Sequence, residues 1–156
     1  MLRDTDGLLP TGTPPDPDIL EGALELVAAE MPEIELLADL YFDDTNVWMT
    51  ALDPASPNRT FGVYWSEWNG LHTSEPRFVE DETTFPIDIV DVDAIRDLVE
   101  GLEARFPTLV VDMPRLHPDL SYRLGLSWRL ELIDARGTLA TVWADLDGTV
   151  IAVDPE

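Results

Sequence analysis

The stretch Leu124-Gly125-Leu126-Ser127-Trp128-Arg129-Leu130-Glu131-Leu132 alternates apolar residues with small or polar ones at every step. Successive strand side chains point to opposite faces of a sheet, so a period of two marks a half-buried β-strand, whereas a helix needs apolar positions three and four apart. Downstream, Asp134-Ala135-Arg136-Gly137 supplies turn chemistry, and Thr138 to Leu146 reads as a returning strand. After Asp147-Gly148 a last strand runs from Thr149 to Val153, so the C-terminal third reads as an antiparallel meander.

Upstream the period changes. From Asp91 or Asp93 onward, Ile95, Leu98, Val99, Leu102 and Phe106 share one helical face, with Arg96, Asp97, Glu100 and Glu103 opposite, until Pro107 ends the run. An earlier helix starts at Asp16-Pro17-Asp18, an acidic cap followed by proline at the first helical position. It carries Ile19, Leu20, Ala23, Leu24, Val27 and Met31 on one face and stops at Pro32. These elements predict an α+β fold in which two helices pack on one side of an antiparallel sheet of about six strands. Residues 1–16, with Gly7, Pro10, Gly12, Pro14 and Pro15, read as a flexible arm, and residues 17–156 as a single domain.

Superposing the helices brings out an internal αβββ repeat over residues 17–72 and 91–154. Thr60 to Glu67 then lies against Thr138 to Asp145, with Trp65 on Trp143 and Gly70 on Gly148. Two unrelated α+β segments can also be matched this loosely, so duplication stays one of two readings. If each half wraps its sheet over its helix, Trp65 and Trp128 belong to the core. Trp48, Tyr64 and Trp68 then stand on the helix-free face, rimmed by Asp43, Asp44 and Glu67, and these six residues form the candidate partner-binding site. The competing reading has the long connection from Leu71 to Thr84 covering that face and making the rings ordinary core.

Composition narrows the chemistry. The 156 residues carry 9 Lys+Arg against 32 Asp+Glu, a formal charge of −23, and no cysteine. Disulfide scaffolds, thiol catalysis and thiolate metal sites are excluded, and such an acid excess disfavours nucleic acid or anionic lipid as a direct partner. It suits a protein partner with a basic surface, by electrostatic steering; it equally suits a chain kept soluble in high salt. No apolar run reaches the roughly 20 residues of a membrane span, and the start lacks the basic-then-apolar order of a signal peptide, so a cytoplasmic location is expected.

Enzyme signatures are mostly absent: there is no phosphate-binding Gly-rich loop, no nucleophile elbow and no paired metal-type histidines. His72 and His117 both sit beside turn residues, where imidazoles are mostly solvated. Asp145-x-Asp147-Gly148 begins like a calcium loop but lacks its later ligands, which favours an Asp-Gly hairpin turn. No catalytic residue, metal or cofactor is therefore assigned.

Residues 46–111 carry a hairpin containing Phe61, Trp65 and Gly70, then Phe85-Pro86-Ile87 and a helix closing in Ala104-Arg105-Phe106-Pro107. This arrangement resembles immunity proteins of bacterial polymorphic-toxin systems. The helix-plus-three-strand pattern also resembles PepSY and cystatin-like modules. The first resemblance implies an immunity or inhibitor protein that neutralises a basic toxin or nuclease. The second implies a small-ligand-binding or enzymatic module using the aromatic sheet face, and a secretion or assembly chaperone is a third class.

Overall fold

Each helix starts where an aspartate side chain takes up a backbone N–H that the helix leaves unpaired. In the computed structural model, which describes residues 13–80, 82–122 and 125–155, the Asp18 amide donates to the Asp16 carboxylate ahead of α1 (Pro17–Glu30), and the Ala94 amide donates to Asp91 ahead of α2 (Val92–Arg105). Both helices begin and end within a residue or two of the positions their caps and prolines predict. The helices touch each other, and Arg96 of α2 fastens them by hydrogen-bonding Asp18 on α1 and Asp93 on its own first turn, each at 2.7 Å.

The strands are β1 (Leu36–Phe42), β2 (Asn46–Leu52), β3 (Arg59–Ser66), β4 (Gly70–Thr73), β5 (Arg77–Phe78), β6 (Phe85–Pro86), β7 (Val110–Leu116), β8 (Trp128–Asp134), β9 (Gly137–Ala144) and β10 (Val150–Pro155). All pair antiparallel in one sheet, ordered β10-β9-β8-β7-β1-β2-β3-β4, with β5 on β3 and β6 on β1. Among the described residues the sheet thus has ten strands rather than about six. The added ones lie mostly in the 70–86 connection, where segments of two to four residues pair through their backbone and are too short to show alternation.

One core runs under the sheet. It joins Leu20, Ala23 and Val27 of α1 and Ile95, Leu98 and Leu102 of α2 to Leu40, Phe42, Met49, Val63, Leu116, Trp128, Leu130 and Val142. Trp128 is the bulkiest fully buried side chain, set edge-on to Phe42 with ring centroids 6.3 Å apart. Its indole N–H finds no hydrogen-bond partner among the described residues, where packing holds it. β8 begins at Trp128 rather than Leu124. Ser127 instead closes the preceding loop, with its amide donating to the Ser121 hydroxyl and its own hydroxyl accepting from the Tyr122 amide. Leu124 itself lies outside the described residues.

The residue-by-residue match between the halves fails in one respect. Trp65 packs against the core as expected, but Trp143 pairs with Arg129 and faces the other side. The cause is a bulge in β9: Thr138 pairs with Ile133 and Ala140 with Leu132, so Leu139 is an extra residue and every later side chain changes face. Residues 1–12 of the expected arm also lie outside the described residues. The end of that arm is tied down, since Pro15 is buried and the Asp16 amide donates to the Asp43 carbonyl at 3.3 Å. No helix among the described residues is long and apolar enough to cross a membrane.

Trp128→Ala should therefore cost about 3–5 kcal/mol in denaturant unfolding, whereas Trp68→Ala should change stability by well under about 1 kcal/mol, because that ring is 72% exposed. The opposite ranking would overturn the face assignment.

Candidate functional site

The helix-free face carries a row of side chains that the strand register sets side by side. It runs from Trp143 on β9 through Arg129, Arg115, Tyr41, Trp48 and Tyr64 to His72 on β4. Tyr41 and Trp48 stack with centroids 5.0 Å apart and planes 15° from parallel, and the Arg115 guanidinium lies 4.8 Å over the Tyr41 ring. Cation, phenol and indole therefore form a continuous pile. Tyr64 continues the row across the next strand pair, and its ring lies over Gly62, where a Cβ would collide with it.

Two bulges create the ionic centre of this face. In β1, Leu37 pairs with Ala51 and Asp39 with Thr50, which leaves Ala38 as the extra residue. In β7 the extra residue falls at Met113-Pro114, where Met113 takes φ +24° and Pro114 has no N–H to give the ladder. With the strands so adjusted, Arg115 reaches Asp39 in a two-pronged bond, Nε to Oδ1 at 2.9 Å and Nη2 to Oδ2 at 2.6 Å. The bond to Asp39 raises the Arg115 pKa further, so the guanidinium stays charged. Burial, then the nearby Asp39 carboxylate, pushes the Tyr41 phenol up and keeps it protonated at neutral pH.

A second charged group sits at the β7–β8 side. Arg129 bonds Glu131 at 3.1 Å, and Glu131 also accepts from the Thr138 hydroxyl at 3.0 Å. Asp112 stands opposite Glu131 in the ladder, and its carboxyl is raised above the ordinary value by burial first and then by the charges of Glu131 and Asp43. The row is closed at its far end: Trp143 donates its indole N–H to the Leu120 carbonyl at 3.1 Å and packs on Tyr122 at 5.5 Å. On the β1–β3 side Tyr64 stays 41% exposed, and the first part of the connection after β4 pairs along β3. Ser74 takes part in that edge pairing, with its hydroxyl accepting from the Gly62 amide and its own amide donating to the Gly62 carbonyl. Between Tyr64, Thr50, Thr60, Ser74 and Arg77 lies an open recess of about 450 Å³.

The six residues singled out in the sequence divide between this face and one end of the sheet. Trp48 and Tyr64 are neighbours in the row, and Tyr64 is 41% exposed. Trp68 and Glu67 occupy the β3–β4 turn, and Asp43 and Asp44 the β1–β2 turn, at the same sheet end because Asn46 pairs with Ser66. Asp43 is also structural, its Oδ1 accepting from the amides of Thr45 and Asn46. The pattern reading missed Asp39 and Arg115. Their signal is a lone acid inside Leu36-Leu37-Ala38-Asp39-Leu40 and a lone base after Met113-Pro114, two strand-interior charges of opposite sign.

Both histidines serve local turns. The His72 ring meets the Asn69 carbonyl, and His117 Nδ1 accepts from the Asp119 amide. Asp145 and Asp147 bind the amide of Thr149 in the hairpin turn that Gly148 (φ +91°) permits. Among the described residues, no group of three or more His, Asp or Glu side chains is arranged to hold a metal ion. No family model, no curated protein and no solved structure matches the chain.

Two outcomes test this geometry. Arg115→Ala strands a nearly buried Asp39 and should cost about 2 kcal/mol, with Asp39→Ala adding little on top of it in a double-mutant cycle. A carboxyl raised in the folded state favours folding below its unfolded pKa and loses that contribution as pH rises through the folded value. Asp112→Asn should thus stabilise the protein at pH 7 by under about 1 kcal/mol, since the group is only partly buried. The gain should vanish below pH 3.8, the ordinary aspartate value.

Proposed function

We propose that the protein is a non-catalytic binding protein whose helix-free sheet face and adjoining acidic turns receive a protein partner with a basic surface. The sharpest form of the proposal is an immunity or inhibitor protein that neutralises a basic toxin or nuclease. The observation that carries it is Trp68, 72% exposed on a turn at the same sheet end as Asp43, Asp44 and Glu67, next to the exposed edge of the Trp48–Tyr64 row. A large aromatic held in water beside acids matches the centre and rim of a protein interface. The charge of −23 favours rapid encounter with a basic surface. A duplicated αβββ ancestry is part of the same reading, supported by strand order: β1-β2-β3 and β7-β8-β9 run outward from the central β1–β7 pair.

The recess beside Tyr64 favours a second reading, a small-ligand module, because the polar residues Thr50, Thr60, Ser74, Glu75 and Arg77 line it together with Tyr64 and Phe61.

Capture of the tagged full chain's partner from its host, followed by binding kinetics, tests the first reading. The partner should have a basic surface, associate more slowly as salt approaches about 1 M, and bind about 30-fold more weakly to Trp68→Ala, whose melting point is unchanged. A partner indifferent both to salt and to Trp48, Tyr64 and Trp68 would sink it. If the acids serve solubility instead, molar salt should raise the melting point strongly, and neutralising Asp43 and Asp44 should leave association rates as they were.

A further inference from the structure

The two ends of the sheet are finished differently. At one end β3 is flanked by both β4 and β5, two short segments. At the other, β10 runs for six residues, pairs with β9 alone among the described residues, and from Ala152 to Asp154, where that pairing is in regular register, presents alternate backbone N–H and C=O groups outward. Sheet edges are commonly blunted by lysine, by a bulge at the rim, by short length or by proline. Here the run Val150-Ile151-Ala152-Val153 has no charge and proline comes only at Pro155; the one such device is a bulge at Ile151, between Val150 paired with Ala144 and Ala152 paired with Trp143, beyond which the pairing runs regularly to Pro155. Its side chains are also in water: Ile151 is 46% and Val153 53% exposed, and Leu139 on β9 adds to the same apolar margin. Val153 stands opposite fully buried Val142, so the core-side surface of the sheet comes out into solvent at this edge.

Charge decides what fits there. The apolar run is bracketed by Asp145 and Asp147 in the turn before it and by Asp154 at its end. An antiparallel pairing of β10 with a second copy of itself brings the Asp154 end of each strand toward the Asp145–Asp147 turn of the other. It would also join two chains of −23 each. The complementary strand is one with β-branched residues at its centre and basic residues at both ends.

We infer that β10 is a docking edge for an extended segment of the basic protein partner, which adds to the sheet as a further strand, Val150 to Val153 packing its apolar centre and Asp145, Asp147 and Asp154 meeting its flanking Arg or Lys. The inference rests on the partner-binding reading and gives it a second point of attachment, on the opposite side of the sheet from Trp68. Backbone pairing supplies the affinity in such a contact, and the acidic ends fix direction and register.

The probe is a synthetic peptide of alternating valine and threonine with paired arginines at each end, titrated into the full chain. Binding should slow amide exchange over Val150–Asp154, disappear when alternate peptide nitrogens are methylated, and weaken at least about tenfold when glutamates replace the arginines. Ile151→Lys and Val153→Lys should abolish it without lowering the melting point, since both side chains are half in water, and Trp68→Ala should leave it unchanged. Failure to bind at millimolar peptide, tolerance of N-methylation, or slowed exchange over β3 and β4 instead would overturn the inference. So would a self-associated chain that Val153→Lys turns monomeric, which would assign the edge to a second copy. If the Val153→Lys chain still captures its partner with undiminished, Trp68-dependent affinity, the edge inference falls and the partner reading stands. If the wild-type chain captures no basic partner, the partner reading falls, whatever the peptide does.

Discussion

The sheet holds together across a seam of two rungs. Between β1 and β7 the paired positions are Leu40 with Leu116 and Tyr41 with Arg115, whereas β2–β3 and β8–β9 each pair along seven positions. So short a ladder cannot join two meanders by backbone bonding alone, and each layer of the molecule adds a fastening there. On the core side Leu40, Leu116, Trp128 and Phe42 pack together; on the other side Arg115 grips Asp39 with both prongs; above them Arg96 ties α2 to α1. The bulges in β1 and β7 shorten the seam and also aim the ion pair across it. The same distortion that weakens the ladder thus supplies a replacement for the lost rungs.

Much of this was legible in the sequence, for specific reasons. Asp16, Asp91, Pro32 and Pro107 mark the helix limits because capping and proline sterics act within a few residues. Alternation placed Trp128 in the core and Trp48 and Tyr64 on the far face, because nothing in β2, or in β8 after Trp128, interrupts the pleat. What escaped the pattern was non-local. Strands as short as Arg77–Phe78 exist only because β3 offers them a partner, and the bulge at Leu139 reverses the face of Trp143 without any change in composition to announce it. Asp39 and Arg115 are 76 residues apart, and no local rule joins them.

The distribution of charge gives the two sheet faces different characters. On the core side polar groups are almost absent, while the far side holds cations that are already engaged: Arg115 by Asp39 and Tyr41, Arg129 by Glu131. With Arg115 and Arg129 paired internally, the acids Asp43, Asp44 and Glu67 gather at one sheet end, away from Arg77 beside the Tyr64 recess. Trp68 projects at that same end.

Gly62 shows how the shape of a surface can depend on an atom that is missing. Nothing in its backbone conformation demands glycine, as the turn conformations do at Gly70, Gly137 and Gly148. The demand comes from the Tyr64 ring, which fills the space a Cβ would take. A side chain at 62 and the tyrosine at 64 therefore compete for the same space. A methyl group at 62 is admissible only with a smaller side chain at 64 or with that ring lifted away from the sheet, and either change ends the aromatic row at Trp48. The shape of the open face is thus encoded as a pair, one residue chosen for its size and the other for having none.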